Sequence, residues 1–213
     1  MYPRKRIIPT KPKAVKSQQD RAVALLRERG ILRLAELRRS GITAATVARL
    51  ERRGQVVRLA RGLYQLPDAS LHAHHALAEA AKLFPKGVIC LVSALAFHQL
   101  TDQVPSRVWI AIGRKDWRPR GGEPPMRFVR FPRERLERGV EFHEIEGVRV
   151  PIFGVAKTLA DLFRYRRVVG TGIGVEGIRE ALRQRKATPA QISEEANRAG
   201  VWKAMQPYLE ALA

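Results

Sequence analysis

Arg49, Arg52, Arg53, Arg58 and Arg61 fall within one short stretch, GITAATVARLERRGQVVRLARGLYQL (residues 41–66), in which Glu51 is the sole acid. A guanidinium is planar, always charged, and carries its donors in a fork that matches a phosphate, or the O6/N7 edge of guanine, two bonds at a time. Grouped with almost no acids, such side chains suit the recognition of a polyanion. They are poorly suited to proton transfer, which needs groups that titrate near neutrality.

Other spacings that could carry chemistry are weaker. GTGIGVEG (170–177) satisfies G-x-G-x-x-G through Gly172, Gly174 and Gly177. A dinucleotide site also needs a strand just before it, and LFRYRRVV reads as a helix end, so a flexible helix–helix connection is expected. HAHH offers His72, His74 and His75 with Glu79 one turn on, but no cysteine or further carboxylate at a ligand interval. Ser93, His98 and Asp161 would make a triad on paper. Ser93 lacks the glycines of a nucleophile elbow and is better explained as a helix N-cap. No lysine has an acid two positions upstream, as a PD-(D/E)xK nuclease requires, and neither a Gly-Ser turn nor a D-x-D pair occurs. No catalytic, cofactor or metal site is assigned, and the chain is not expected to be an enzyme.

The 213 residues include 40 Lys+Arg against 20 Asp+Glu, with 45% hydrophobic residues. That length suits one medium or two small units, with enough apolar content for real cores. Arginine scattered evenly would raise the isoelectric point with no function attached. The distribution is uneven: residues 1–67 hold 17 Lys+Arg and 4 Asp+Glu, residues 68–213 hold 23 and 16. Cys90 is alone, which excludes a disulfide framework and a thiolate metal site. No secretory signal or membrane-length apolar run is present, and a reducing cytoplasm is the expected compartment.

Elements must position the arginines. Residues 1–16, with three prolines and six basic residues, read as a disordered basic arm. A helix from Asp20 carries Val23, Leu25 and Leu26 to Gly30. LAELRRS makes a second helix, ending at Arg38 and Arg39, and Ser40-Gly41-Ile42 turns the chain. Thr43 caps a third helix that faces Val47 and Leu50 inward. Ala45, Thr46, Arg49, Arg52 and Arg53 are then left toward solvent. Gly54 ends it, and strands at about 55–59 and 63–66 meet through Gly62. Helix, helix, turn, helix and hairpin is the order of a winged helix-turn-helix.

Beyond residue 68, a helix over 69–86, strands at 88–92 and 107–112, a helix from Ser93 to Leu100, MRFVRF, a hairpin around Glu146-Gly147 and further helices predict a mixed α/β region. The fold class is therefore α+β: a disordered arm (1–16), a winged helix (17–68) and a mixed α/β domain (69–213). In a major groove, Thr43 and Thr46 permit close approach and Arg49 can reach guanine. Arg52, Arg53, Arg38 and Arg39 suit phosphates, and Arg58 and Arg61 lie on the wing. The predicted partner is double-stranded DNA; non-specific binding of DNA or RNA is the alternative. Arg114, Lys115, Arg118, Arg120, Arg127 and Arg130 form a second basic set.

RGILRLAELRRSGITAATVARLERRGQVVRLARGLYQLPD, ICLVSALAFHQLTDQVPSRVWIAI and VPIFGVAKTLADLFRYRRVVG together resemble the AbiEi-type antitoxins of type IV toxin–antitoxin (abortive infection) systems, also described as regulators of viral defence. The resemblance covers roughly residues 18–186. It implies a winged helix that represses its own operon at promoter repeats, and a C-terminal domain needed for antitoxicity. The implied toxin is a nucleotidyltransferase-like enzyme encoded next door, and no membrane partner is implied. The positions it would assign to DNA are Thr43, Thr46, Arg49, Arg52, Arg53, Arg58 and Arg61.

Overall fold

A computed structural model describes residues 17–69, 73–118 and 124–212. The basic arm expected at 1–16 lies outside them. Helix α1 (Gln18–Arg29) begins with a reciprocal cap: Asp20 N donates to Ser17 Oγ (3.1 Å) and Ser17 N to Asp20 Oδ2 (3.1 Å). Strand β1 (Leu32–Arg33) follows, then α2 (Leu34–Arg39), α3 (Ala44–Arg52) and the hairpin of β2 (Val57–Ala60) and β3 (Leu63–Gln65). Thr43 caps α3 by accepting from Thr46 N at 3.2 Å. Gly54 and Gly62, at φ +68° and +74°, make the exits expected of them.

No sequence signal marks β1 as a strand. Two residues carry too little periodicity to show. β1 exists because β3 offers it a free edge, with Leu32 opposite Tyr64, giving the order β1-β3-β2. Ala22, Leu26, Leu37, Ile42, Val47, Leu50, Val56 and Tyr64 fill the core beneath. This is the winged helix-turn-helix.

After it come α4 (His75–Leu83), β4 (Val88–Ile89), α5 (Leu91–Phe97), β5 (Val108–Gly113), β6 (Met126–Phe131), α6 (Arg133–Glu137), β7 (Val140–Ile145) and β8 (Val148–Phe153). Five strands form a mixed sheet in the order β6-β5-β4-β8-β7. Glu146 and Gly147, at φ +50° and +71°, join β7 to β8 in the two-residue turn whose twist matches a hairpin. The chain ends in α7 (Val155–Arg164), α8 (Arg166–Val169), α9 (Thr171–Arg183), α10 (Pro189–Ala199) and α11 (Trp202–Leu212).

The centre of the sheet is buried on both faces, which is why VWIAI reads as continuously apolar. Trp109 and Ala111 meet α5, α7 and the C-terminal helices. Val108, Ile110 and Ile112 meet α4 and share a core with Ile31 and Leu63 of the winged helix. Polar contacts close the same seam: Arg33 Nη2 donates to Leu83 O (2.8 Å) and Lys82 Nζ to Glu36 (2.8 Å). Burial pushes the Glu36 carboxyl up, and the Lys82 and Arg33 donors bring it below its ordinary value.

Two expected helices start elsewhere. The connecting helix begins at His75, and the strand at 88 stops at Ile89, so Ser93 lies inside α5 and Cys90 holds the N-cap position. Ser93 caps nothing. Its buried hydroxyl accepts from Trp109 N (3.0 Å), tying helix to strand.

Gly30 and Gly54 both have positive φ, but only Gly30 is crowded. A Cβ there would lie 2.0 Å from the Glu146 carbonyl oxygen, whereas Gly54 faces open space. Gly54→Ala is expected to cost about 1 kcal/mol from backbone strain alone. Gly30→Ala should cost at least about 2 kcal/mol, because a backbone clash adds to that strain. Urea unfolding of the two variants checks the order; equal losses would mean that the seam yields freely.

Candidate nucleic-acid interface

Val47 and Leu50, each 1% exposed, pin α3 to the core and fix its rotation. Arg49, Arg52 and Arg53, spaced three and four apart, are exposed on the opposite face. Thr43 and Ala45 are exposed at its N-terminal turn, Arg38 and Arg39 at the end of α2, and Arg58 and Arg61 on the wing. Helix, turn and wing thus leave all but one of the expected positions exposed.

The exception is Thr46, which is 1% exposed. It lies four residues before Leu50, on the buried stripe, and the start of α1 crosses it. Its hydroxyl donates to Gln18 Oε1 (2.9 Å) and stands 3.0 Å from Thr43 Oγ1. Thr46 therefore cannot touch a base edge from this position. It braces α3 from beneath, between Gln18 and Thr43.

Charge on this face is oriented without being cancelled. Among the described residues, none of the seven arginines joins an ion pair. Their partners are neutral: Arg49 Nη2 donates to Thr46 Oγ1 (3.3 Å), Arg53 Nη1 to Gln19 Oε1 (3.3 Å) and Arg58 Nε to Ala60 O (3.3 Å). Elsewhere arginines do pair, as Arg133 with Glu137 (2.7 Å) and Arg183 with Glu180 (2.6 Å). Ser17, Gln18 and Gln19 line a crevice of about 470 Å³ with Thr43, Thr46 and Arg49. Sequence spacing missed these glutamines because they meet their partners across 25 to 34 residues.

The second basic set is looser. Arg114, Lys115 and Arg118 are exposed, and Arg120 lies outside the described residues. Arg127 covers the Trp109 ring at 4.3 Å, and Arg130 donates to the Gly113 carbonyl at 3.1 Å. Those two guanidinia already serve the sheet.

The remaining constellations are structural. Gly172, Gly174 and Gly177 lie inside α9, contrary to the expected flexible connection. A Cβ on Gly174 would stand 2.8 Å from Phe163, and one on Gly177 2.8 Å from Leu95 and Leu159. Gly174 and Gly177 let α9 press onto α7 and α5, whereas Gly172 faces open space. His72 lies outside the described residues; His75 Nδ1 meets Glu146 at 2.7 Å, and His74 packs on Phe97. Among the described residues no three His, Cys, Asp or Glu side chains are grouped to hold a metal ion.

His98 bonds the Phe153 carbonyl through Nε2 (2.8 Å), and burial lowers its imidazole below the usual range. Asp161 pairs with Lys157 Nζ (2.7 Å) and Arg135 (3.3 Å), with burial pushing its carboxyl up. Ser93, His98 and Asp161 therefore each have separate structural partners.

The comparisons address the same elements. Over residues 20–67 the chain matches the AbiEi antitoxin family of transcriptional regulators. That segment is the winged helix, from α1 to the end of the wing. The AbiEi-type match thus bears out the resemblance over these residues. Among curated proteins, none matches the sequence. Among solved structures, the crystal structure of the Rv2827c protein from Mycobacterium tuberculosis is similar in fold, with a TM-score of 0.53 at 15% identity. The alignment covers 95% of this chain and 84% of that one. Among the described residues no helix is long and apolar enough to cross a membrane.

Cys90 is fully buried, and burial raises its thiol well above the ordinary range. A thiolate is the reactive form. Native protein is expected to leave Cys90 unmodified by a thiol-specific reagent at neutral pH, with full reaction after denaturation. Rapid native labelling would show that α5 opens readily.

Proposed function

We propose that this AbiEi-type protein represses its own toxin–antitoxin operon, with residues 17–68 as the DNA-binding module and residues 69–213 as the part that counteracts the toxin. The observation that carries the proposal is the arginine face of α3 and the wing, exposed and paired with no acid among the described residues. Two such modules on an inverted repeat would compete with polymerase. In the resemblance that supports this reading, the toxin is a neighbouring nucleotidyltransferase-like enzyme, the system is of type IV, and the setting is phage defence in the cytoplasm. The chain then acts by binding rather than by turnover.

The docking follows from shape and charge. The N-terminal turn of α3, with Thr43 and Ala45, is small enough to enter a major groove. Arg49 is the side chain assigned to a guanine edge, and Arg52, Arg53, Arg38 and Arg39 to phosphates on either side. Arg58 and Arg61 on the wing follow the adjacent backbone. Thr46 drops out as a direct contact and serves α3 from beneath.

Fluorescence anisotropy against the upstream duplex and a scrambled duplex, across salt, tests this. We expect roughly 10³-fold or greater preference for the upstream duplex. Arg49→Ala should cost about 1–3 kcal/mol on that duplex and less on the scrambled one. Arg52→Ala should weaken both alike and make the salt dependence shallower by about one unit of slope. Equal wild-type affinity for the two duplexes would replace this reading with general nucleic-acid binding.

A further inference from the structure

The first turn of a helix ordinarily attracts acids, because its unpaired N–H groups and dipole favour negative charge. In α1 that turn stands beside the arginines of α3, where an acid would neutralise them. The turn has one acid, Asp20, and its carboxylate is folded back onto Ser17, accepting from N at 3.1 Å and Oγ at 2.7 Å. The two positions that face α3 carry amides instead.

Gln18 Oε1 accepts from Thr46 Oγ1 at 2.9 Å and from Thr43 N and Oγ1 at 3.3 Å each. Thr46 Oγ1 in turn accepts from Arg49 Nη2 at 3.3 Å. The relay runs from the first residue of α1, through a buried hydroxyl, to the guanidinium assigned to a base edge. Gln19 acts directly, with Oε1 accepting from Arg53 Nη1 at 3.3 Å.

We propose that Gln18 and Gln19 are positioning residues for DNA, uncharged acceptors that aim Arg49 and Arg53 while leaving their full positive charge for the duplex. The inference rests on the DNA-binding reading and adds residues of α1, outside the recognition helix, to the determinants of specificity. A carboxylate at either position would hold a guanidinium more tightly, and would compete with the phosphate or guanine it must meet. An amide carbonyl fixes the direction of the fork without that competition. Pre-aiming a long side chain also lowers the rotamer entropy lost when it docks.

Gln18 and Gln19 make different predictions, because one acts on a base contact and the other on a phosphate contact. Gln18→Leu, which keeps bulk and removes the acceptor, should lower the preference for the upstream duplex about tenfold, with affinity for scrambled DNA unchanged. Adding Gln18→Leu to Arg49→Ala should then cost little more, since the relay ends at Arg49. Gln19→Glu should weaken both duplexes about tenfold and make the salt slope shallower by about one, as one cation is neutralised. Thermal melting of each variant separates these effects from loss of fold. Gln19→Glu, at a half-buried surface site, keeps the test open if Gln18→Leu unfolds.

The wild-type measurement comes first, so the two ideas can fail separately. A wild type without preference for its upstream duplex sinks the operator reading and the role of Gln18 with it. Gln19→Glu still tests, on any duplex, whether an uncharged partner leaves Arg53 its full charge for the phosphate. A wild type with that preference, alongside variants that keep wild-type affinities, preference and salt slope, overturns the positioning role while the DNA reading stands.

Discussion

The burial of Val47 and Leu50 under α3 is the constraint on which the outer surface depends. A helix has a single rotational freedom about its axis once its ends are capped. Two apolar side chains on one stripe, both nearly inaccessible to water, remove it. Burying a Val or Leu is worth about 1.5–3 kcal/mol, far more than an exposed guanidinium gains from any one surface contact. Apolar packing therefore decides where Arg49, Arg52 and Arg53 point, and polar contacts only refine the aim.

That order of strength explains how like charges tolerate one another here. Exposed cations in water repel weakly at these separations, because solvent and salt screen them. The fold can hold them on one face at small cost without acids to offset them. Acids would improve stability slightly and weaken attraction to a polyanion. The chain uses its acids elsewhere: Glu180 on Arg183, Glu137 on Arg133, and Glu36 on Lys82.

The winged helix is also fastened to the sheet behind it. Ile31 and Leu63 enter the core of α4 and the sheet, and Gly30 accepts the Glu146 carbonyl where no side chain would fit. From the other side, a Cβ on Gly147 would stand 2.8 Å from the Arg29 carbonyl oxygen. The hairpin turn that joins β7 to β8 thus doubles as a stop for the end of α1. The opposite end of α1, around Ser17 to Gln19, meets α3, so one helix docks the sheet at one end and the arginine-bearing helix at the other.

The order of the winged helix was legible in the sequence because its signals are local. The cap at Thr43, the glycines at 30, 54 and 62, and a short-range apolar period act within a few residues of one another. Charge imbalance marked the same segment for a polyanion. β1 was not legible, since a two-residue strand is created by its partner rather than by its own pattern. Neither were the burial of Thr46, the packing role of Gly174 and Gly177, or the place of Ser93 inside α5. Each depends on which distant element crosses it: α1, α7 and the β5 strand. Residue type and local period settled where the arginines concentrate and which helix carries them, because both act over a few residues. Which side chains stay exposed, and which glutamines they bond, was settled by the tertiary fold, because those contacts close across tens of residues.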